Sequence, residues 1–195
     1  MDGLYAFKPW YAARLTPLRR RFAVRGVTPN AVTAAGVVFA AGAGAVLALV
    51  RPGWWAALAV TALLAARLAC ANLDGALARE TRRTSAYGSV VNEFGDRAAD
   101  LAALAGCLVL APPSVVATAA FASTLPSWVA LAGAAAGANR VNGGPVGKTE
   151  RAALLVVIAL TGAAVPILIV LATGSVLTAA LRLRVVRRAL VGGAS

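Results

Sequence analysis

Histidine is absent from this 195-residue chain, and acids are scarce: seven Asp and Glu stand against 19 Lys and Arg. Without histidine, imidazole acid–base chemistry and most transition-metal sites are excluded. The two cysteines, Cys70 and Cys107, both lie in apolar stretches. They read as small core residues, with neither a disulfide framework nor a zinc site in prospect. Charged residues make up only 13% of the chain, about half the share of a soluble domain. Disorder, a collagen repeat and a secreted disulfide scaffold are excluded on composition. The first 27 residues contain no continuous apolar run, so no signal peptide is expected there.

What the chain has in abundance is apolar sequence: 60% hydrophobic residues, with a mean hydropathy of +0.78. That is the composition of a polytopic membrane protein. At ~20 residues per span, the length allows at most about seven crossings, hence one membrane domain. The pattern predicts spans over roughly 30–50, 54–80, 86–111, 114–137, 150–164 and 166–190. Thr28 and Pro29 suit the start of the first, as N-cap and first-turn residue. Pro126 marks an expected kink. Before the spans, Lys8, Arg14, Arg19, Arg20, Arg21 and Arg25 alternate with Leu4, Phe7, Trp10, Tyr11, Leu15, Leu18 and Phe22. This predicts an amphipathic interfacial helix within 4–25, broken or bent at Pro9 and Pro17.

The formal charge of +12 has two readings, membrane orientation or nucleic-acid binding. The positive residues alternate with apolar spans and do not line one soluble face, so no nucleic acid is expected. They fall mainly in the arm, in the 79–85 connection, in the 138–151 loop and at the C-terminus, whereas the 51–53 turn carries one and the turns near 112–113 and 162–166 carry none. Six spans with both termini cytoplasmic satisfy that alternation. The expected fold class is thus an all-α membrane protein of six transmembrane helices after an interfacial helix.

Arg67 and Asp74 in the second span, and Glu93, Asp96, Arg97 and Asp100 in the third, carry charge inside the predicted membrane region. Each costs roughly 2.5–3.5 kcal/mol at such depth, so a functional reading comes first. The alternative is a structural ion-pair cluster joining two helices. At helical spacing, Gly88, Asn92, Asp96 and Asp100 form one stripe with Glu93 at its flank. Arg67, Ala71, Asp74 and Ala78 share a face of the preceding helix. Gathered carboxylates without His or thiolate partners suit a hard cation, Mg2+ or Mn2+. Depth matching along the two antiparallel helices, at 1.5 Å per residue, pairs Arg67 with Asp100 as a floor beneath the site.

The run Asp74-Gly75-Ala76-Leu77-Ala78-Arg79, eight residues, then Gly88, Asn92 and Asp96, resembles the CDP-alcohol phosphatidyltransferase motif. That motif reads Asp-x-x-Asp-Gly-x-x-Ala-Arg, eight residues, Gly-x-x-x-Asp-x-x-x-Asp. The register is free of gaps, but the first and third aspartates of the pattern fall on Ala71 and Asn92. The resemblance implies six spans behind an interfacial helix, with residues 1–27 as the arm, 28–191 as the catalytic domain and 192–195 as a short cytoplasmic tail.

It implies transfer of a phosphatidyl or similar phosphoryl group from a CDP-linked donor to a small alcohol, with release of CMP, in phospholipid biosynthesis. It implies a multi-pass cell-membrane location in the lipid bilayer, and a homodimer. By position, Asp96 becomes the catalytic base. Asp74, Asn92 and Asp96, with Glu93 or Asp100 recruited, become the holders of Mg2+ or Mn2+. Gly75, Ala78, Arg79 and Gly88 become donor-binding residues, although small-residue helix packing explains Gly75 and Ala78 equally well.

Arg140, Lys148 and Arg151 are candidates for an acceptor phosphate, with orientation bias as the alternative. Gly143 to Thr149 imitates a P-loop, yet Asn142 stands where a glycine is required and no strand precedes it, so an NTPase is excluded. Two other functions stay open: a family member that binds CDP-lipid or a protein partner without turnover, and an ion pathway. The acceptor alcohol cannot be read from the sequence.

Overall fold

A computed structural model describes residues 13–192, and among these there is no strand. The 4–12 part of the expected interfacial helix and the 193–195 part of the expected tail lie outside the described residues. The helices are α1 (Thr16–Val24), α2 (Pro29–Leu49), α3 (Trp54–Glu80), α4 (Ala86–Ala105), α5 (Pro113–Ala135), α6 (Lys148–Thr161) and α7 (Ala164–Gly192), with a 3-10 turn, Gly106–Val109, continuing α4. Four of them, α2, α3, α5 and α7, are long and apolar enough to cross a membrane. The other two candidates differ for plain reasons: α4 carries the charged stripe, and α6 has only 14 residues.

The boundaries follow local chemistry. Thr28 accepts a hydrogen bond from the Ala31 N–H at 3.2 Å, and Pro29 opens α2. Ser85 caps α4 by accepting from the Gly88 N–H at 2.9 Å. Glu150 accepts from the Gly147 N–H at 3.0 Å, half of a capping box, since glycine has no side chain to return the bond. α6 stops at Gly162, which takes φ 73°, a conformation that favours glycine. Residues 13–14 are helical, Leu15 is a turn and α1 restarts at Thr16 with Pro17 in its first turn, so the helix is broken at Pro17 as the sequence suggested.

α2 packs on both α3 and α4, while α3 and α4 touch each other little; α6 packs on α3, and α5 on α7. Sequence order alone had made α3 and α4 direct neighbours. The wedge is possible because α2 is made of small residues. A Cβ on Gly106 would lie 2.1 Å from Gly44 O, and a Cβ on Gly44 would lie 2.4 Å from Ala102 O. The two backbones therefore touch, and α4 tightens into its 3-10 turn at this crossing. Most of the core, including Ala40, Leu47, Val60, Ile158 and Leu168, fills the half of the bundle remote from α1. There the Gly53 N–H donates to Ala159 O at 2.8 Å and joins two turns. At the other end, Leu15 and Phe22 pack on Val32, Cys70, Leu73 and Leu77, and Arg19 pairs with Glu80. Arg20, Arg21 and Arg25 are exposed. The gap that α2 holds open between α3 and α4 is where the charged residues meet.

Candidate functional site

Asp74 projects from α3 and is 4% exposed. Its Oδ2 accepts from Thr33 Oγ1 of α2 at 3.0 Å and from Asn92 Nδ2 of α4 at 2.5 Å, and its Oδ1 accepts from the Gly75 N–H at 2.6 Å. Thr33 had no role in the sequence reading. Its signal was available: it is the only hydroxyl residue in Pro29–Leu49. Gly95 of α4 passes so close that a Cβ there would lie 2.4 Å from Thr33 Cγ2, so the absence of a side chain at Gly95 lets Thr33 reach Asp74.

The acids one and two turns further along α4 are met by cations. Asp96 pairs with Lys148 through Oδ2 and receives Arg67 Nη2 on Oδ1 at 3.4 Å; Arg97 Nη2 lies 3.8 Å from Oδ2. Asp100 receives Arg67 Nη2 on Oδ1 at 2.8 Å and Arg151 Nη2 on Oδ2 at 2.6 Å. Glu93 receives Arg97 Nη1 at 3.4 Å and pairs with Arg140. The local geometry makes this ladder. Asp96 and Asp100 are one turn apart on α4, Lys148 and Arg151 are one turn apart on α6, and each pair therefore presents a stack of charges on one helix face. Arg67, 4% exposed, joins both rungs from α3.

The structure thus brings together Arg67, Asp74, Asn92, Asp96, Asp100, Lys148 and Arg151. Gly88 sits in the capping turn of α4, and Arg79 is exposed at the end of α3, its Nη1 3.5 Å from where a Cβ on Gly75 would stand. Ala78 is half-buried and Arg140 exposed. Gly143 O accepts from Arg182 Nε at 2.8 Å, and the Val146 N–H donates to Thr178 Oγ1 at 3.0 Å. The glycine-rich loop is therefore laced to α7, unlike an open phosphate cradle. Arg182, not singled out in the sequence, also donates to Pro126 O at 2.8 Å.

These residues do not fit a centre of two divalent ions. Ala71 offers no ligand, and the amide of Asn92 points its nitrogen at Asp74. Among the described residues no three Asp, Glu or Cys side chains gather as they would around a metal. Glu93 and Asp100, expected as recruits, are engaged by arginines. At an effective dielectric near 20, like unit charges ~4 Å apart repel by about 4 kcal/mol, so a dication that close to the Lys148 ammonium would be opposed by roughly twice that. Asp74 alone has no Lys or Arg partner among the described residues. Two donors of the site are also left over among the described residues: Arg97 Nε and Arg151 Nε are buried without an acceptor, the condition of groups awaiting an anion or water.

A bundle of apolar helices with a buried cluster of acids and bases at one end, open to a cleft lined by Thr33, Arg67, Ala71, Asp74 and Asp96, defines a membrane enzyme that handles charged substrates at the bilayer. The family model for CDP-alcohol phosphatidyltransferase matches residues 26–186, and the chain belongs to that family. It is 31% identical over 152 residues to the inner membrane protein YnbA of Escherichia coli (strain K12), spanning 76% of this chain and 75% of that protein. The crystal structure of Mycobacterium tuberculosis phosphatidylinositol phosphate synthase (PgsA1) with CDP-DAG bound superposes with a TM-score of 0.68 at 25% identity, covering 88% of this chain and 92% of that one. The structure of the same synthase with manganese and citrate gives 0.69 at 24% identity, covering 88% of each. The chain is accordingly a multi-pass membrane protein and a CDP-lipid phosphotransferase of phospholipid synthesis.

Proposed function

We propose that Asp96 is the base of this transfer and that the cations around it receive the donor's diphosphate. The alcohol oxygen attacks the lipid-side phosphorus. Its proton passes to an Asp96 carboxylate oxygen, the new P–O bond forms, and the bond to the CMP phosphate breaks, with the electron pair leaving on CMP. Asp74, held by Thr33, Asn92 and the Gly75 N–H, orients the donor beside it. Gly75 and Ala78 leave room for the nucleotide, Gly88 for its approach at the α4 cap, and Arg79 pairs with a donor phosphate. The sequence offered Arg140, Lys148 and Arg151 for a phosphate on the acceptor; with Lys148 and Arg151 turned toward the donor's diphosphate, Arg140 is the one kept for that role. A divalent ion, Mg2+ or Mn2+, enters this reading as a passenger on the donor diphosphate, where it would meet Asp74. The observation that carries the proposal is that Asp74, held by Asn92, and Asp96, held by Lys148, line one cleft, with Arg151 on Asp100 one turn further along α4.

The finer architecture is proposed on the same footing. α4 and α6 complete six spans, the charge bias puts both termini in the cytoplasm, α1 lies in the interface as part of a 1–27 arm, and 28–191 form the catalytic domain before a 192–195 tail. A homodimer follows from the family resemblance. The test is CMP release from CDP-diacylglycerol by the purified chain with a panel of alcohols, including glycerol phosphate, inositol phosphate and a free polyol. Release with one acceptor supports the reading; no release with any acceptor under conditions that retain the fold rejects it.

A further inference from the structure

Four acids crowd the site, Asp74, Glu93, Asp96 and Asp100. Five cations sit on three of them: Arg67, Arg97, Arg140, Lys148 and Arg151. The compensation that two dications would give four carboxylates is already supplied by the chain. The loss of an acid at Ala71 and the presence of Arg67 one turn away belong together, because both line the same cleft beside Asp96. We propose that the resting site holds no divalent ion because its own cations take that role, and that Lys148 exchanges from Asp96 to the donor's diphosphate when the donor binds. The inference rests on the phosphotransferase reading for its second half only.

Among the cations on Asp96 and Asp100, Lys148 is singled out by exposure. Its side chain is 37% exposed, against 4% for Arg67 and 8% for Arg151. The two arginines are short-bonded to Asp100 and buried, so they stay. Lys148 is the first residue of α6, a point charge on a flexible stem that tolerates a change of partner. A diphosphate offers more negative oxygens than one carboxylate, and it would also meet the unsatisfied Nε–H groups of Arg97 and Arg151. The exchange has a consequence for the reaction. While Lys148 covers Asp96 Oδ2, that oxygen is not available to an alcohol; once the diphosphate draws the ammonium away, it is. Lys148 then both binds the donor and keeps the base covered until the donor is in place.

The experiment uses the full chain in detergent, with Mn2+ and CDP-diacylglycerol as separate probes, and melting temperature as the check of fold. By Mn2+ electron paramagnetic resonance, the wild type is expected to take up no stoichiometric ion. Lys148→Met is expected to raise Mn2+ affinity by at least about tenfold by removing a like charge, while Lys148→Arg keeps the exclusion. Stoichiometric Mn2+ on the wild type that Asp96→Asn abolishes would overturn the inference, as would a folded Lys148→Met with unchanged Mn2+ affinity. CDP-diacylglycerol binding is expected to survive EDTA with a smaller loss than Lys148→Met causes. A larger loss in EDTA would overturn the exchange. Failure to bind CDP-diacylglycerol with or without Mn2+ would count against the phosphotransferase reading and the exchange, while the Mn2+ arms still decide the resting site.

Discussion

Asp96 and Asp100 are the same residue type, one turn apart on one helix, yet their partners divide their roles. Asp96 meets Lys148, the most exposed of its cation partners, whereas Asp100 lies between Arg67 and Arg151, both buried. Asp96→Asn is expected to lower CMP release by at least about 100-fold, the usual scale for loss of a general base, with little change in melting temperature. Asp100→Ala removes the shared partner of two buried guanidinium groups, a change that costs about 3–5 kcal/mol. Its expected signature is a large fall in melting temperature and yield, with turnover per folded molecule less affected. If Asp100→Ala left the fold intact and abolished turnover, the two roles would have to be exchanged. Thr33→Val deletes a donor to Asp74 while preserving shape, and a rise in KM for the CDP-linked donor larger than the fall in kcat is the expected outcome.

At the scale of the element, the decisive contact is the crossing of α2 with α4. Gly44 and Gly106 bring two backbones together where a methyl group would stand 2.1–2.4 Å from carbonyl oxygen. Backbone cannot rotate away as a side chain can, so Gly106→Ala must push α4 outward and widen the gap that the ion pairs span. It is expected to destabilise by about 1–3 kcal/mol, the range for overpacking, read as a lower melting temperature in detergent. Ser85→Ala, which removes only the α4 cap, is expected to cost about 1 kcal/mol. A larger effect of Ser85→Ala than of Gly106→Ala would contradict this ranking.

For the molecule as a whole, the bundle has a charged end and a bare end. The turns at 50–53 and 162–163 meet through Gly53, Ala159, Pro52 and Gly162, with Arg51 their one charge. The opposite end carries α1, the 81–85 connection, the long loop and the end of α7. If both termini are cytoplasmic, cysteines introduced at Arg51 and Thr161 should react with an impermeant thiol reagent from outside the cell, and one at Arg83 should not. The reverse pattern would invert the orientation. The native thiols, Cys70 and Cys107, are buried and provide a quiet background.

Much of this was legible in the residue string because it depends on neighbours in sequence. Hydropathy runs of about 20 residues, caps at Thr28, and prolines and glycines at turns act locally, and they located the helices to within a few residues. The motif from Asp74 to Asp96 is likewise a matter of spacing, and it identified the family. The depth argument for Arg67 and Asp100 used only helical rise. The identity of each acid's partner was another matter. Lys148 and Arg151 lie some fifty residues from Asp96 and Asp100, and nothing in their spacing said that α6 would bring them to that face. Thr33 needed the missing side chain of Gly95, and the α2 wedge needed two glycines on different helices to coincide. Periodicity determined which residues share a face. Which faces meet was decided by close packing of all the helices at once, and with it whether the carboxylates would face a metal ion or the chain's own cations.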